Sequence, residues 1–148
     1  MVDALSSLAA VAGLADVTCR LGKELYGFFS AIKHASQDIQ NMLKELQQLE
    51  AIISSIQTLA ENYGNSPWAT DDNLFVSGIH QTILHCKDEF ETLRERVGRL
   101  RLDQHSGTAK NLTSKVKWIL DDKKTVQSCQ KLERIKLSLT TLLTSAGW

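Results

Sequence analysis

Three side chains able to bind a metal, His80, His85 and Cys86, stand close together in this 148-residue chain. Their spacing argues against such a site. Zinc proteases place two histidines four residues apart, so that both rings leave one helix face. The five-residue step from His80 to His85 puts the rings on different faces. The paired acids Asp71-Asp72, Asp88-Glu89 and Asp121-Asp122 could in principle hold and pass protons. Each pair falls at a helix start or on an exposed face, where capping and solvation account for it. No GxxxxGK[ST] or GxGxxG run offers a phosphate cradle. The cysteines Cys19, Cys86 and Cys129 are far apart, odd in number and without CxxC spacing. That is the usage of reduced, buried thiols in an intracellular protein. The sequence therefore predicts no catalytic residues, no metal and no cofactor, and a protein that is not an enzyme.

Charge narrows the partners. The chain is neutral overall, with 17 Lys/Arg and 17 Asp/Glu, but its halves differ. Residues 1–74 hold 4 Lys/Arg against 9 Asp/Glu, and residues 75–148 hold 13 against 8. The positive charge is densest at Arg94, Arg96, Arg99, Arg101, Lys110, Lys115 and Lys117. Such a stretch can steer an anionic partner or a head-to-tail neighbour; it is also what a solvated helix face looks like. Near-neutral charge and few aromatics argue against nucleic acid. Trp118, just after Lys115 and Lys117, suits either a membrane-interface anchor or a ring packed over a bundle end. Asn111-Leu112-Thr113 matches the glycosylation sequon, which without a secretory route is chance.

The elements that must position these residues all have the helical period. A first helix is predicted from about Asp3 to His34, with Asp3 as cap and a break near Gly13 or Gly22. A second starts at the N-cap Ser36 and carries the stripe Ile39, Met42, Leu43, Leu46, Leu49, Ile53, Ile56 and Ala60. It ends at Asn62-Tyr63-Gly64, with Gly64 as the C′ residue. A third begins near Asp71 or Asp72 and carries Val76, Ile79, Ile83, Cys86, Phe90, Leu93, Val97 and Leu100. A shorter helix is expected over 112–120. A last one runs from about Lys123 to Ser145 through Val126, Leu132, Ile135, Leu139, Leu142 and Leu143. Long helices with short joints and one apolar stripe each predict a single all-α domain over residues 1–148, an antiparallel bundle of four to five helices. Leu46, Ile53, Ile83, Phe90 and Leu139 are its expected core.

The opening segment is the informative one. From Ala4 to Ala15 it is Leu, Ala, Val, Ser and Gly without a charge, and no Lys or Arg appears before Arg20. A secretory signal wants a positive start, and a permanent span wants about 20 mainly apolar residues, whereas Asp16 interrupts this one. Two readings stay open: a core helix, or a helix that packs in the bundle and leaves it for a membrane. In the second, Leu5, Leu8, Ala9, Val11, Gly13 and Leu14 form the membrane-active segment. Arg94, Arg96, Arg99, Arg101, Lys115 and Lys117 are then the candidate contacts to anionic lipid.

The pattern resembles the fungal N-terminal domain of STAND proteins, the HeLo-like domain. The resemblance lies in the segment Asp3–Ala15, the aromatic run Leu25-Tyr26-Gly27-Phe28-Phe29, and the run Ala35-Ser36-Gln37-Asp38-Ile39 through Leu43-Lys44-Glu45-Leu46. It continues in Lys115-Val116-Lys117-Trp118 and in Leu132-Glu133-Arg134-Ile135-Lys136-Leu137-Ser138-Leu139, and so covers essentially the whole chain. Many members carry Pro just after the Trp; this chain has Ile119 there, which puts a helix break at that point in doubt. The resemblance implies a bundle like the four-helix executioner domain of the mixed-lineage-kinase-like pseudokinase. It implies a cell-death effector at the N-terminus of a NOD-like receptor, with ATPase and repeat domains in cis and this chain as its excised or stand-alone effector. Such a domain would be cytoplasmic, oligomerise, and relocate to the plasma membrane. Its partners would be membrane phospholipids, the anionic ones among them, and further copies of itself. The competing expectation is a scaffolding bundle that binds another protein and never enters lipid. Exposure or release of the opening segment favours the first, and full interlocking with the core favours the second.

Overall fold

The computed structural model describes residues 4–32, 37–63, 73–104 and 123–145. They form four helices, here α1 (Ala4–Ser30), α2 (Gln37–Tyr63), α3 (Asn73–Gln104) and α4 (Lys123–Ser145), and no strand is present among the described residues. Each helix turns one apolar stripe inward. Leu8, Val11, Ala15, Leu25 and Phe29 come from α1, and Ile39, Met42, Leu46, Leu49, Ile53 and Ile56 from α2. Val76, Ile79, Ile83, Cys86, Phe90 and Leu93 come from α3, and Leu132, Ile135 and Leu139 from α4. Burial of these side chains is the main stabilising term, because each removes apolar surface from water.

Cross-helix contacts fix the direction of every helix. Leu8 and Val11 share an apolar seam with Ile56 and Ala60, while Cys19 meets the Glu50 carbonyl, so α1 and α2 are antiparallel. Leu8 also faces Val76 and Ile79, and Glu24 pairs with Arg94, so α1 and α3 are parallel. Ser128 bonds Glu89 and Leu142 lies against Gly78, which sets α4 antiparallel to α3. The closest backbone packing joins α1 to α2 and α3, and α4 to the same two. The bundle is therefore a ring in the order α1–α2–α4–α3, with helix direction alternating along the sequence.

Several boundaries differ from the sequence reading. α1 runs without a break through Gly13 and Gly22 and stops at Ser30 rather than His34. It closes on itself: the Ser30 hydroxyl donates to the Gly27 carbonyl at 3.1 Å, and the Ile32 N–H donates to the Phe29 carbonyl at 3.3 Å. These bonds satisfy two of the orphan carbonyls of a helix end. α3 starts at Asn73, in keeping with the expected start near Asp71 or Asp72. Asp3, Ser36, Gly64, the expected helix over 112–120 and the Asp121-Asp122 step lie outside the described residues.

Candidate functional site

Within the opening half of α1, the stretch Leu8–Ala15 is built from residues without polar side chains. Leu8, Val11 and Ala15 point inward and are buried, and Leu14 is half-buried against the core. Leu8 and Val11 line an apolar seam with Ile56, Ala60, Phe75, Val76 and Ile79, with a void of about 10 Å³. Ala9, Ala10 and Gly13 point outward and are exposed. Leu5 lies in the α1 span, with its side chain outside the described set. The other half of α1 is held differently. The Cys19 thiol donates to the Glu50 carbonyl at 3.8 Å, Lys23 Nζ lies 3.8 Å from Glu50 Oε1, and Arg94 Nε lies 3.4 Å from Glu24 Oε2. One helix thus has an apolar stretch, Leu8–Ala15, without a cross-helix polar contact among the described residues, followed by a part tied by polar contacts to both neighbours.

The basic stretch is placed elsewhere. Because α1 and α3 run parallel, Val76 sits at the level of Leu8 and Arg94 at the level of Glu24. The eighteen residues between Val76 and Arg94 rise about 27 Å along the axis. The membrane-active segment and the arginines expected from the sequence therefore occupy opposite ends of the bundle. Arg94 is exposed but already engaged by Glu24, and Arg96 is half-buried. Arg99 and Arg101 fall in the last turns of α3, with side chains outside the described set, and Lys115, Lys117 and Trp118 lie outside the described residues altogether.

The polar clusters that sequence reading missed sit between α4 and its neighbours. Glu89 accepts from the buried Ser128 hydroxyl at 2.9 Å and faces Lys131 Nζ at 3.4 Å. Lys136 Nζ donates to Glu45 Oε1 at 2.9 Å and to Gln48 Oε1 at 2.8 Å. These partners lie far apart in sequence, so no local spacing announces them. Beside Glu89 an open groove of about 410 Å³ runs between α3 and α4, lined by His85, Asp88, Lys131 and Arg134 among others.

His80 is half-buried and His85 exposed, and no group of three metal-binding side chains is found among the described residues. Burial pushes the Cys19 and Cys129 thiols up to about 11, and pushes Cys86 up further still; nearby carboxylates add to the effect at Cys19 and Cys129. The three stay protonated at neutral pH, and a protonated thiol is not a nucleophile. No described helix is long and apolar enough to cross a membrane.

These features define a class: an all-helical bundle whose distinctive parts are an apolar stretch at the start of α1 and interhelical polar ties. The family comparison is more specific. The model of the HeLo family, described as prion-inhibition and propagation, matches residues 4–146, and the chain belongs to this family. That membership is consistent with a cell-death or prion-related effector domain. Searches of the curated proteins and of the solved structures found no match.

Proposed function

We propose that this chain is the N-terminal cell-death effector domain of a fungal NOD-like receptor. It acts by assembly rather than catalysis, permeabilising the plasma membrane through the opening half of α1. The observation that carries this reading is the contrast within α1: among the described residues, positions 8–15 are held by apolar contacts, and the cross-helix polar ties begin at Cys19. Apolar side chains that leave the seam regain an apolar environment in a bilayer. A segment running from Cys19 onward would also have to give up the Cys19 contact to the Glu50 carbonyl and two exposed ion pairs. Ala9 and Gly13, four residues apart, let like helices approach closely in lipid. Asp16 is expensive in an isolated span, so several copies are needed to line a polar face together. Clustering by the ATPase and repeat domains in cis supplies those copies, and until then the domain stays in the cytoplasm.

The scaffold reading is favoured by one observation, the burial of Val11, Ala15, Leu25 and Phe29 in the core. In that case α1 never leaves. Dye release from liposomes, together with a fungal cell-death assay, separates the two. The chain is clustered through a C-terminal fusion on a flexible linker, or blocked by a bulky N-terminal fusion. The clustered form should leak liposomes and kill, and the N-terminally blocked form should do neither. Equal activity of both forms, or none from the clustered form, establishes the scaffold reading instead.

A further inference from the structure

The two parts of α1 are held unequally. Among the described residues before Thr18, the buried side chains are Leu8, Val11 and Ala15. After it they are Cys19, Leu21, Leu25, Phe28 and Phe29, a larger apolar area. Burial stabilises in proportion to that area. The later part also rests closely on α3, since a Cβ added at Gly22 would lie 3.1 Å from Phe90 Cε2. Lys23 and Glu24 then pair with Glu50 and Arg94. Helices open locally in contiguous units, the most weakly held first. Thr18 stands at the junction. It is fully buried, yet its hydroxyl donates at 2.7 Å to the Leu14 carbonyl of its own helix, not to a neighbour.

We propose that α1 opens at a fixed hinge, Thr18, which becomes the N-cap of a shortened helix while residues 4–17 leave the bundle. The proposal rests on the membrane reading above and names where the leaving segment ends. A helix cut just before residue 19 bares the N–H groups of its new first turn. Threonine is among the side chains that satisfy such groups, by accepting from the second or third helical N–H. Here those belong to Arg20 and Leu21. The neighbours Val17 and Cys19 are not capping residues of that kind. One hydroxyl thus changes role: closed, it donates to the Leu14 carbonyl; open, its oxygen accepts from the new helix start. The hinge keeps every cross-helix polar tie of α1 on the side that stays, because the first of them is at Cys19. The ion pair that the break gives up is Asp16–Arg20, whose side chains are 40% and 78% exposed. Such exposed pairs contribute little. Opening uncovers the seam of Ile56, Ala60, Phe75, Val76 and Ile79, which keeps the closed form dominant in the free chain.

The test is amide hydrogen exchange of the free chain, read residue by residue by NMR. In a helix each N–H bonds the carbonyl four residues back, so a helix capped by Thr18 has its first backbone-bonded amide at Gly22. Amides 8–20 should therefore exchange as one unit, about tenfold or more faster than amides 22–29. Leu21, which the cap can hold, falls between. Thr18→Val keeps the shape and, in the closed helix, the backbone bond to Leu14, but cannot cap. It should slow exchange of residues 8–20 about fivefold, the usual worth of an N-cap. Thr82→Val removes the same local bond from α3, where Thr82 donates to the Gly78 carbonyl at 2.7 Å, and should leave exchange in α1 unchanged. A step at Val17 would put the hinge at Gly13, and one at Arg20 would put it at Asp16; either overturns the proposal. So does protection that rises evenly along α1, exchange of all α1 in one unit, or a Thr18→Val variant that exchanges like the parent. If that variant fails to fold, the step in the parent decides alone. Dye release from the clustered form keeps the two claims apart. A step at Gly22 without leakage retains the hinge and removes the membrane reading, while leakage with a step elsewhere does the reverse.

Discussion

Lys136 shows how a single charged side chain holds α4 in register. Its ammonium donates to Glu45 and Gln48 across the α2–α4 interface, and both members of the ion pair are about four-fifths buried (side chains 21% and 19% exposed). Glu45 Oε2 is buried and has no hydrogen-bond partner, so the carboxylate depends on Lys136 alone for a positive counter-charge among its described contacts. Removing one partner of such a pair leaves a buried charge uncompensated, whereas replacing both with apolar groups is often neutral. Lys136→Met should therefore cost about 1–3 kcal/mol, read by urea unfolding. The double variant Glu45→Met, Lys136→Met should return to within about 1 kcal/mol of the parent. A double variant weaker than the single would mean that the pair itself, rather than the avoidance of a stranded charge, supplies the stability.

At the scale of the helix, α1 carries two glycines with opposite meanings. A Cβ built on Gly13 meets nothing within 4 Å, while one built on Gly22 lies 3.1 Å from Phe90 Cε2. Phe90 is fully buried, so its ring must give by a few tenths of an ångström against packed neighbours to admit the methyl. Gly13→Ala should therefore stabilise the bundle by about 1 kcal/mol through helix propensity. Gly22→Ala should destabilise it by about 1–3 kcal/mol through overpacking. Thermal melts of the two variants check the signs. The same pair explains why the expected break in α1 is absent. One glycine costs about 1 kcal/mol, less than burying a single leucine or phenylalanine of the stripe gains. The helices were legible because their apolar residues recur every three and four positions, as Ile39–Ala60 and Val76–Val97 do. The ends of α1 were less so, since Ser30 and Ile32 stop it through hydrogen bonds that no periodicity encodes. The candidate site was legible as composition only. The charge-free run before Asp16 is visible in the sequence, whereas its seam with Phe75 and Val76 joins residues more than sixty positions apart.

For the whole molecule, the parallel course of α1 and α3 decides how membrane contacts can be combined. The opening half of α1 lies at one end with Val76 and Ile79, and Arg94 lies toward the other with Glu24. On the proposed membrane reading, a bundle standing on either end can use only one of the two, so attraction to anionic lipid and disruption of the bilayer would be separable steps. The arginines act in the first step alone if they act on lipid at all. Reversing Arg94, Arg96, Arg99 and Arg101 to Glu should weaken sedimentation with anionic liposomes, by about 1 kcal/mol per residue near the surface, and should flatten its dependence on salt. Stability should change little through the exposed Arg94–Glu24 pair, because surface ion pairs contribute about 0–1 kcal/mol. Attaching the reversed protein to the liposomes through a C-terminal tag then bypasses the first step. Dye release should recover to the level of the tethered parent, since residues 8–15 are unchanged. A tethered variant that stays silent would place these arginines in the disruption step itself. An untethered variant that binds as well as the parent would assign them to a protein partner or to solubility.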